Sequence, residues 1–233
     1  GMRRPWRGML ALAGVALAAR LHAQDSRPGF AVLPFENGRS YGQDKEIFQA
    51  LELGIPATIS AALAAHPGAK VADPGRVRSA ASSLGLAPGR PVDAAAASQV
   101  AKGTGARYAV TGSFVDFYGK LRLNARLVDA QTGQIVKIVS NDDPALQDRA
   151  RLGAIIQSVS EKLAAAAGLP PFAGDAAART SAIPTDALNQ YSLGLLFESQ
   201  GDKAKAAQAF QRALTAHPDY VQAREALQRV RAG

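Results

Sequence analysis

Lys120-Leu121-Arg122-Leu123-Asn124-Ala125-Arg126-Leu127-Val128-Asp129 decides how the chain is read, because its residues alternate between two chemistries. In an extended strand, Leu121, Leu123, Ala125 and Leu127 fall on one side and Arg122, Asn124 and Arg126 on the other. A strand written this way keeps one face in a core and one in water. Upstream, Arg107 to Phe117 is also strand-like and is joined to it at Tyr118-Gly119, a hairpin connection. Downstream, Asp129-Ala130-Gln131-Thr132-Gly133 turns the chain into Gln134 to Ser140. Antiparallel strands of this kind predict an α/β fold: a two-layer mixed sheet with helices packed on one face.

Further upstream, Phe30 to Phe35 (FAVLPF) is a short apolar run after Pro28-Gly29 and reads as a buried first strand. From Asp44, the residues Ile47, Phe48, Leu51, Ile55, Ile59 and Leu63 recur at helical spacing, with an interruption expected near Gly54-Ile55-Pro56. His66-Pro67-Gly68 stops this helix, Ala69 to Ala72 is a short strand, and Asp73-Pro74 and Asp93 each open a further helix. Asp143-Pro144 is expected to open a long helix to about Ala167, with Leu152, Ile155, Ile156, Val159 and Leu163 as its buried stripe. The α/β domain therefore runs over residues 28–167. Residues 168–184 (GLPPFAGDAAARTSAIP) lack a sustained period and read as a linker.

Over residues 185–233 the spacing of Leu193-Gly194, Phe197, Gly201, Ala206, Phe210, Ala213 and Pro218 resembles one tetratricopeptide repeat, with Gln190 where a large aromatic is usual. Small Gly194 and Ala206 let two helices approach, Phe197 and Phe210 fill their seam, and Pro218 ends the second helix. Asp219 onward starts a capping helix. One repeat and a cap bury too little surface to stand alone, so something must cover the open side. The α/β domain, a second copy of the chain or a partner protein could do so. Leu188, Tyr191, Leu195 and Glu198 are the expected contact face; Leu188 and Leu195 could equally pack on the preceding linker.

At the start of the chain, Arg3, Arg4 and Arg7 precede the apolar run Met9 to Ala19, and Leu21-His22-Ala23 fits a cleavage site before Gln24. Residues 1–23 read as an export leader whose apolar run is short for a membrane span, a membrane anchor being the alternative. Without its arginines the excess of positive charge falls from +8 to about +4, and no basic run suggests a nucleic-acid footprint. There is no cysteine, so neither a disulfide framework nor a lipid-modified cysteine is available.

Ala31-Val32-Leu33-Pro34-Phe35-Glu36-Asn37, Leu53-Gly54-Ile55, Gly68-Ala69-Lys70-Val71, Gly105 to Ser113 (GARYAVTGS) and Leu121 to Gly133 (LRLNARLVDAQTG) together resemble the TolB amino-terminal and CsgG-like group. The resemblance covers most of residues 29–165. It implies a sheet with helices on one side, a place in the periplasm or at the outer membrane, and a role in assembling envelope complexes without catalysis. The chain lacks TolB's propeller repeats and the lipid-bearing cysteine and pore-forming hairpins of CsgG-like proteins.

Catalytic chemistry finds little material. His22 falls in the leader, His66 and His217 each precede proline at a helix end, and these positions give no zinc spacing. Gly103-Thr104-Gly105 lies between helix and strand, the reverse of the order that aims amides at a phosphate. Asp142-Asp143 before Pro144 is better explained by helix capping than by a metal or acid/base pair, and no G-x-S-x-G occurs. Arg122, Arg126 and Lys137 could form a basic patch or simply a solvated face. The reading that follows is a soluble periplasmic interaction or scaffold protein that holds an envelope protein or peptide. It is expected to need no cofactor, metal or nucleic acid, to insert in no membrane once the leader is removed, and to be able to self-associate through the repeat. An outer-membrane secretion component and an unrecognised periplasmic hydrolase are the alternatives.

Overall fold

A computed structural model describes residues 25–233, so the expected leader lies outside the described residues. The elements in chain order are β1 (Gly29–Val32), β2 (Glu36–Asn37), α1 (Lys45–Ala64), β3 (Lys70–Val71), α2 (Pro74–Ser83), α3 (Ala94–Thr104), β4 (Tyr108–Phe117), β5 (Lys120–Asp129) and β6 (Ile135–Ser140). They continue with β7 (Gln147–Asp148), a 3-10 turn (Arg149–Arg151), α4 (Leu152–Ala166), α5 (Asp175–Arg179), α6 (Thr185–Ser199), α7 (Lys203–Ala216) and α8 (Val221–Ala232). The strands form one mixed sheet in the order β3-β1-β4-β5-β6, with β2 also paired to β4 and β7 to β5. β1 runs parallel to β3 and β4, whereas β4, β5 and β6 form an antiparallel meander.

Alternation along the strands assigns the two faces. Phe30, Val32, Val110, Phe114, Leu121, Leu123, Ala125 and Leu127 point toward α1 and α4, whose Leu51, Ile55, Ile59, Ile156, Val159 and Leu163 complete the main core. Around β1 and the start of β4 the other face is covered as well. There Ala31, Leu33, Ala109 and Val128 pack with Val77 and Ala81 of α2 and Val100 and Ala101 of α3. The mixed α/β class is as expected, and helices on one face describe the β5–β6 half. A second helical layer caps the β1 end. Phe35 reaches the main core because position 112 is glycine: a Cβ there would lie 2.3 Å from the Phe35 ring.

Helix α1 runs through Pro56 without the expected interruption. Proline removes the amide that would bond the carbonyl of Glu52, four residues earlier. That carbonyl instead accepts the N–H of Phe35 at 3.0 Å, so the helix continues and gains a tie to the sheet. Asp73 and Asp93 cap α2 and α3 as expected, accepting from the amides of Arg76 and Ala96. Asp143-Pro144 does not open α4. The following chain is drawn out to pair Gln147–Asp148 with Lys120–Leu121 of β5, and the helix starts only at Leu152.

Residues 168–184 also depart from the loose linker expected. They contain α5, bury Thr180 and Ile183, and bring the Thr180 carbonyl so near α4 that a Cβ on Gly153 would sit 2.6 Å away. His66 clasps their start: its Nδ1 accepts the Gly68 amide at 2.9 Å, leaving Nε2–H to donate to the Pro170 carbonyl at 2.8 Å.

The last three helices then fold back on the sheet unit. Gly194 admits the Phe210 ring, 2.3 Å from where a Cβ would be, and this closes α6 on α7. The other side of α6 packs on α1. There a Cβ on Gly54 would lie 1.7 Å from Ser192 Oγ, a contact that only glycine permits. One continuous cluster therefore joins Phe30 and Ile55 to Leu188, Tyr191, Phe210 and Leu227. The expected domain boundary is crossed by a shared core.

Candidate interaction surface

The second layer of helices stops short, and this creates the exposed region most suited to binding. β4 and β5 pair over their whole length, setting Ser113 opposite Asn124, Val115 opposite Arg122 and Phe117 opposite Lys120. These residues share the face that α2 and α3 cover only at the Ala109–Val128 end. Arg126 stands opposite Ile138 of β6, so Ile138, 59% exposed, joins the same face. The result is a half-sheet bearing guanidinium groups beside apolar Val115, Phe117 and Ile138.

An aromatic cluster finishes this surface at the β4–β5 turn. Tyr41, Phe117 and Tyr118 are 51%, 49% and 71% exposed. The Phe117 ring lies 5.2 Å from both Tyr41 and Tyr118, each edge-on. Tyr118 has φ 51° and Gly119 φ 90°, the pair of left-handed residues that a two-residue turn between right-twisted strands demands. For a bulky L-residue such as Tyr118 that conformation is strained, by about 1–2 kcal/mol. Asparagine or glycine would hold the turn more cheaply, so the tyrosine is not explained by the turn.

Buried charge holds the tip in place. The Asp116 carboxylate is wholly buried and accepts the Gly119 amide at 2.8 Å, while the Gly119 carbonyl accepts the Arg149 amide at 2.8 Å. The Arg149 guanidinium reaches Asp44 at 2.7 Å and stands 3.3 Å from Asp116, above the Phe48 ring. Burial pushes the Asp116 carboxyl up from its ordinary range; the Gly119 amide and Arg149 pull it back. Both polar groups of Gly119 are thereby occupied, and the aromatic side chains are the part left free.

The structure separates the residues expected to form sites. Arg122 and Arg126 share the open face, but Lys137 is paired opposite Leu127 and lies on the other face of the sheet, so the three do not form one patch. Leu188 and Tyr191 are buried against α1 and the core of the tail, which removes them from a partner-binding face in this fold. Leu195 and Glu198 are partly buried and line a groove of about 910 Å³ between α1, α2, α6 and α8. Glu198 is bound there by Arg229 through two hydrogen bonds of 2.7 Å. Asp142 accepts from Ser158 and pairs with Lys162, which holds its carboxyl below the usual range. Among the described residues no group of three or more His, Asp or Glu is placed to hold a metal. The sequence places Phe117 at a strand end and Tyr118 in a hairpin connection without marking Tyr41, Phe117 and Tyr118 as a cluster; a tyrosine before glycine at a hairpin turn is the signal that points to it.

No protein-family profile and no curated protein sequence matches the chain. Among solved structures, the LpoB C-terminal domain from Escherichia coli is similar at 20% identity and a TM-score of 0.37, covering 49% of this chain and 80% of that one. The NMR structure of Escherichia coli LpoB gives 20% identity and a TM-score of 0.40, over 52% of this chain and 58% of that one. TolB from Acinetobacter baumannii gives 17% identity and a TM-score of 0.41, over 64% of this chain and 30% of that one.

Proposed function

We propose that this chain is an exported, non-catalytic interaction protein of the cell envelope that holds a protein partner on the open half of its sheet. The observation that carries the reading is the exposed Tyr41–Phe117–Tyr118 cluster, set on a strained turn at the end of an uncovered sheet face. Aromatic residues dominate the energetic centres of protein interfaces, and a strained backbone held in place by its surroundings is the kind kept for a function. Phe30, Ile55 and Leu188 belong to one core, which favours a rigid scaffold over two independently moving binders. The tail is read as a single tetratricopeptide repeat whose exposed side is covered by α1, and export rests on the leader-like residues 1–23.

Two experiments test this. A photo-crosslinking residue replacing Phe117 should trap one discrete envelope protein in living cells, whereas the same residue at Gln208 on α7 should not. Identical adduct patterns from the two positions would remove the surface from consideration. Fractionation of cells expressing the full chain should place a shortened protein in the periplasmic extract; intact chain in the cytosol would refute export.

A further inference from the structure

We infer that the partner element taken by the open half-sheet is an acidic amphipathic helix of about three turns, lying over β4, β5 and β6 with its axis along the strands. This deepens the proposal above and rests on it. Charge decides the sign of the partner. Among the described residues, Lys120, Arg122 and Arg126, like most of the lysines and arginines, enter no ion pair, and these three share one face. The acids on this face stand at its margins: Glu36 opposite Ser113, and Asp148 opposite Lys120, where its carboxylate accepts the Ala150 amide. Two guanidiniums beside apolar Val115, Phe117 and Ile138 complement carboxylates that flank an apolar stripe. The same cations oppose a second copy docking face to face.

Geometry decides the form of the partner, because an extended segment would have to add to the free edge at β6, and that edge is blunted. Its pairing with β5 is irregular at Leu127/Val128, Lys137 stands in its middle, and Lys162 donates to the Ser140 carbonyl at 2.7 Å. Bulges and lysines of this kind discourage strand addition. The face itself has the dimensions of a helix. Three strands at ~4.8 Å spacing are roughly 10 Å wide between outer strands, close to the ~10–12 Å diameter of a helix with its side chains. Ser113 to Phe117 extends roughly 14–17 Å along the sheet, about three helical turns.

The test uses the full mature chain and a synthetic side-chain-stapled helical peptide with leucines on one face and glutamates on the other. Its companion peptide has every glutamate replaced by lysine. Fluorescence anisotropy should give at least about tenfold tighter binding for the glutamate peptide, weakening as salt is raised. Replacing Arg122 and Arg126 together by serine should abolish that preference. Both positions are on the sheet surface, and circular dichroism and thermal unfolding check that this variant is folded. An unstapled peptide of the same composition with central prolines should bind weakly. Equal binding of the two charge forms, an unchanged preference in the double variant, or better binding of the proline peptide would each overturn the inference. So would tighter binding of a single-stranded oligonucleotide, or dimerisation that competes with the peptide. If the peptides fail while crosslinking from Phe117 still traps one partner, the acidic helix is wrong and the interaction surface stands; if the crosslink fails too, the surface falls.

Discussion

The inner side of α6 and the open face of the β4–β5–β6 meander both present aliphatic and aromatic residues beside charge, yet only the second remains available. On α6, Leu188 and Tyr191 face a helix with glycine at position 54, and the two backbones close until Ser192 occupies the space of a missing side chain. On the sheet, α2 and α3 cover Ala109 and Val128 and go no further. Apolar composition therefore does not say whether a face is left open in this molecule. What decides it is whether a neighbouring element carries residues small enough to close over it.

The sharpest way to break this contrast is Leu188→Ala. Leu188 is fully buried, so the substitution should cost about 2–5 kcal/mol in chemical denaturation. If α6 instead served an external partner, the isolated protein would lose almost nothing. Replacing Ile138, 59% exposed on the open face, by Ala should cost under about 0.5 kcal/mol.

Next in size is Gly54→Ala. In an exposed helix this change would gain about 1 kcal/mol. Here the added methyl collides with Ser192 Oγ and Cβ, at 1.7 and 2.5 Å, and a net loss of about 1–3 kcal/mol is expected. Paired with Ser192→Gly the sign should turn, because both colliding atoms belong to the side chain that is removed. A double-mutant cycle with no coupling would show that the helices do not close in this way.

The antiparallel meander could be read from the alternation in Lys120 to Asp129, and the N-caps from Asp73 and Asp93, because both depend on neighbours within a few residues. What could not be read depends on distant ones. The continuity of α1 through Pro56 needs Phe35 to take the carbonyl of Glu52. The late start of α4 needs β5 to hold Gln147–Asp148 extended. Arg122, Arg126 and Lys137 fall on neighbouring strands, but only the register at Leu127 says which way Lys137 points. The covering of Leu188 likewise lay in a glycine in another element, at position 54, whose partner at Ser192 is far along the chain.

The covered region should also respond to alkaline pH. The Tyr191 and Tyr220 rings meet at a tilt within the covered region, 5.2 Å between centroids, and burial pushes the Tyr191 hydroxyl up to about 12 and that of Tyr220 well above its ordinary value. In the unfolded chain these groups ionise near 10, so their contribution to stability is complete below about pH 10 and fades as the pH rises toward 12. At pH 10.5 the loss from Tyr191 is under about 1 kcal/mol. Tyr191→Phe should flatten the alkaline limb of the stability curve, as followed by chemical denaturation between about pH 9 and 11.

The smallest effect expected has the opposite sign. Tyr118→Asn places at a φ of 51° a residue that accepts left-handed backbone, ahead of Gly119 in the sequence that two-residue turns favour. The relief of about 1–2 kcal/mol of strain is partly offset by the lost ring contact with Phe117, itself about 0.5–1.5 kcal/mol. A gain of about 0.5 kcal/mol should remain, visible as a higher Tm. The same variant should weaken capture of the partner by the crosslinker at Phe117, because the most exposed ring of the cluster is gone. Stability rising while binding falls is what separates a tyrosine kept for contact from one kept for folding. A variant that lost stability and kept its partner would place Tyr118 with the covered region, as a structural residue.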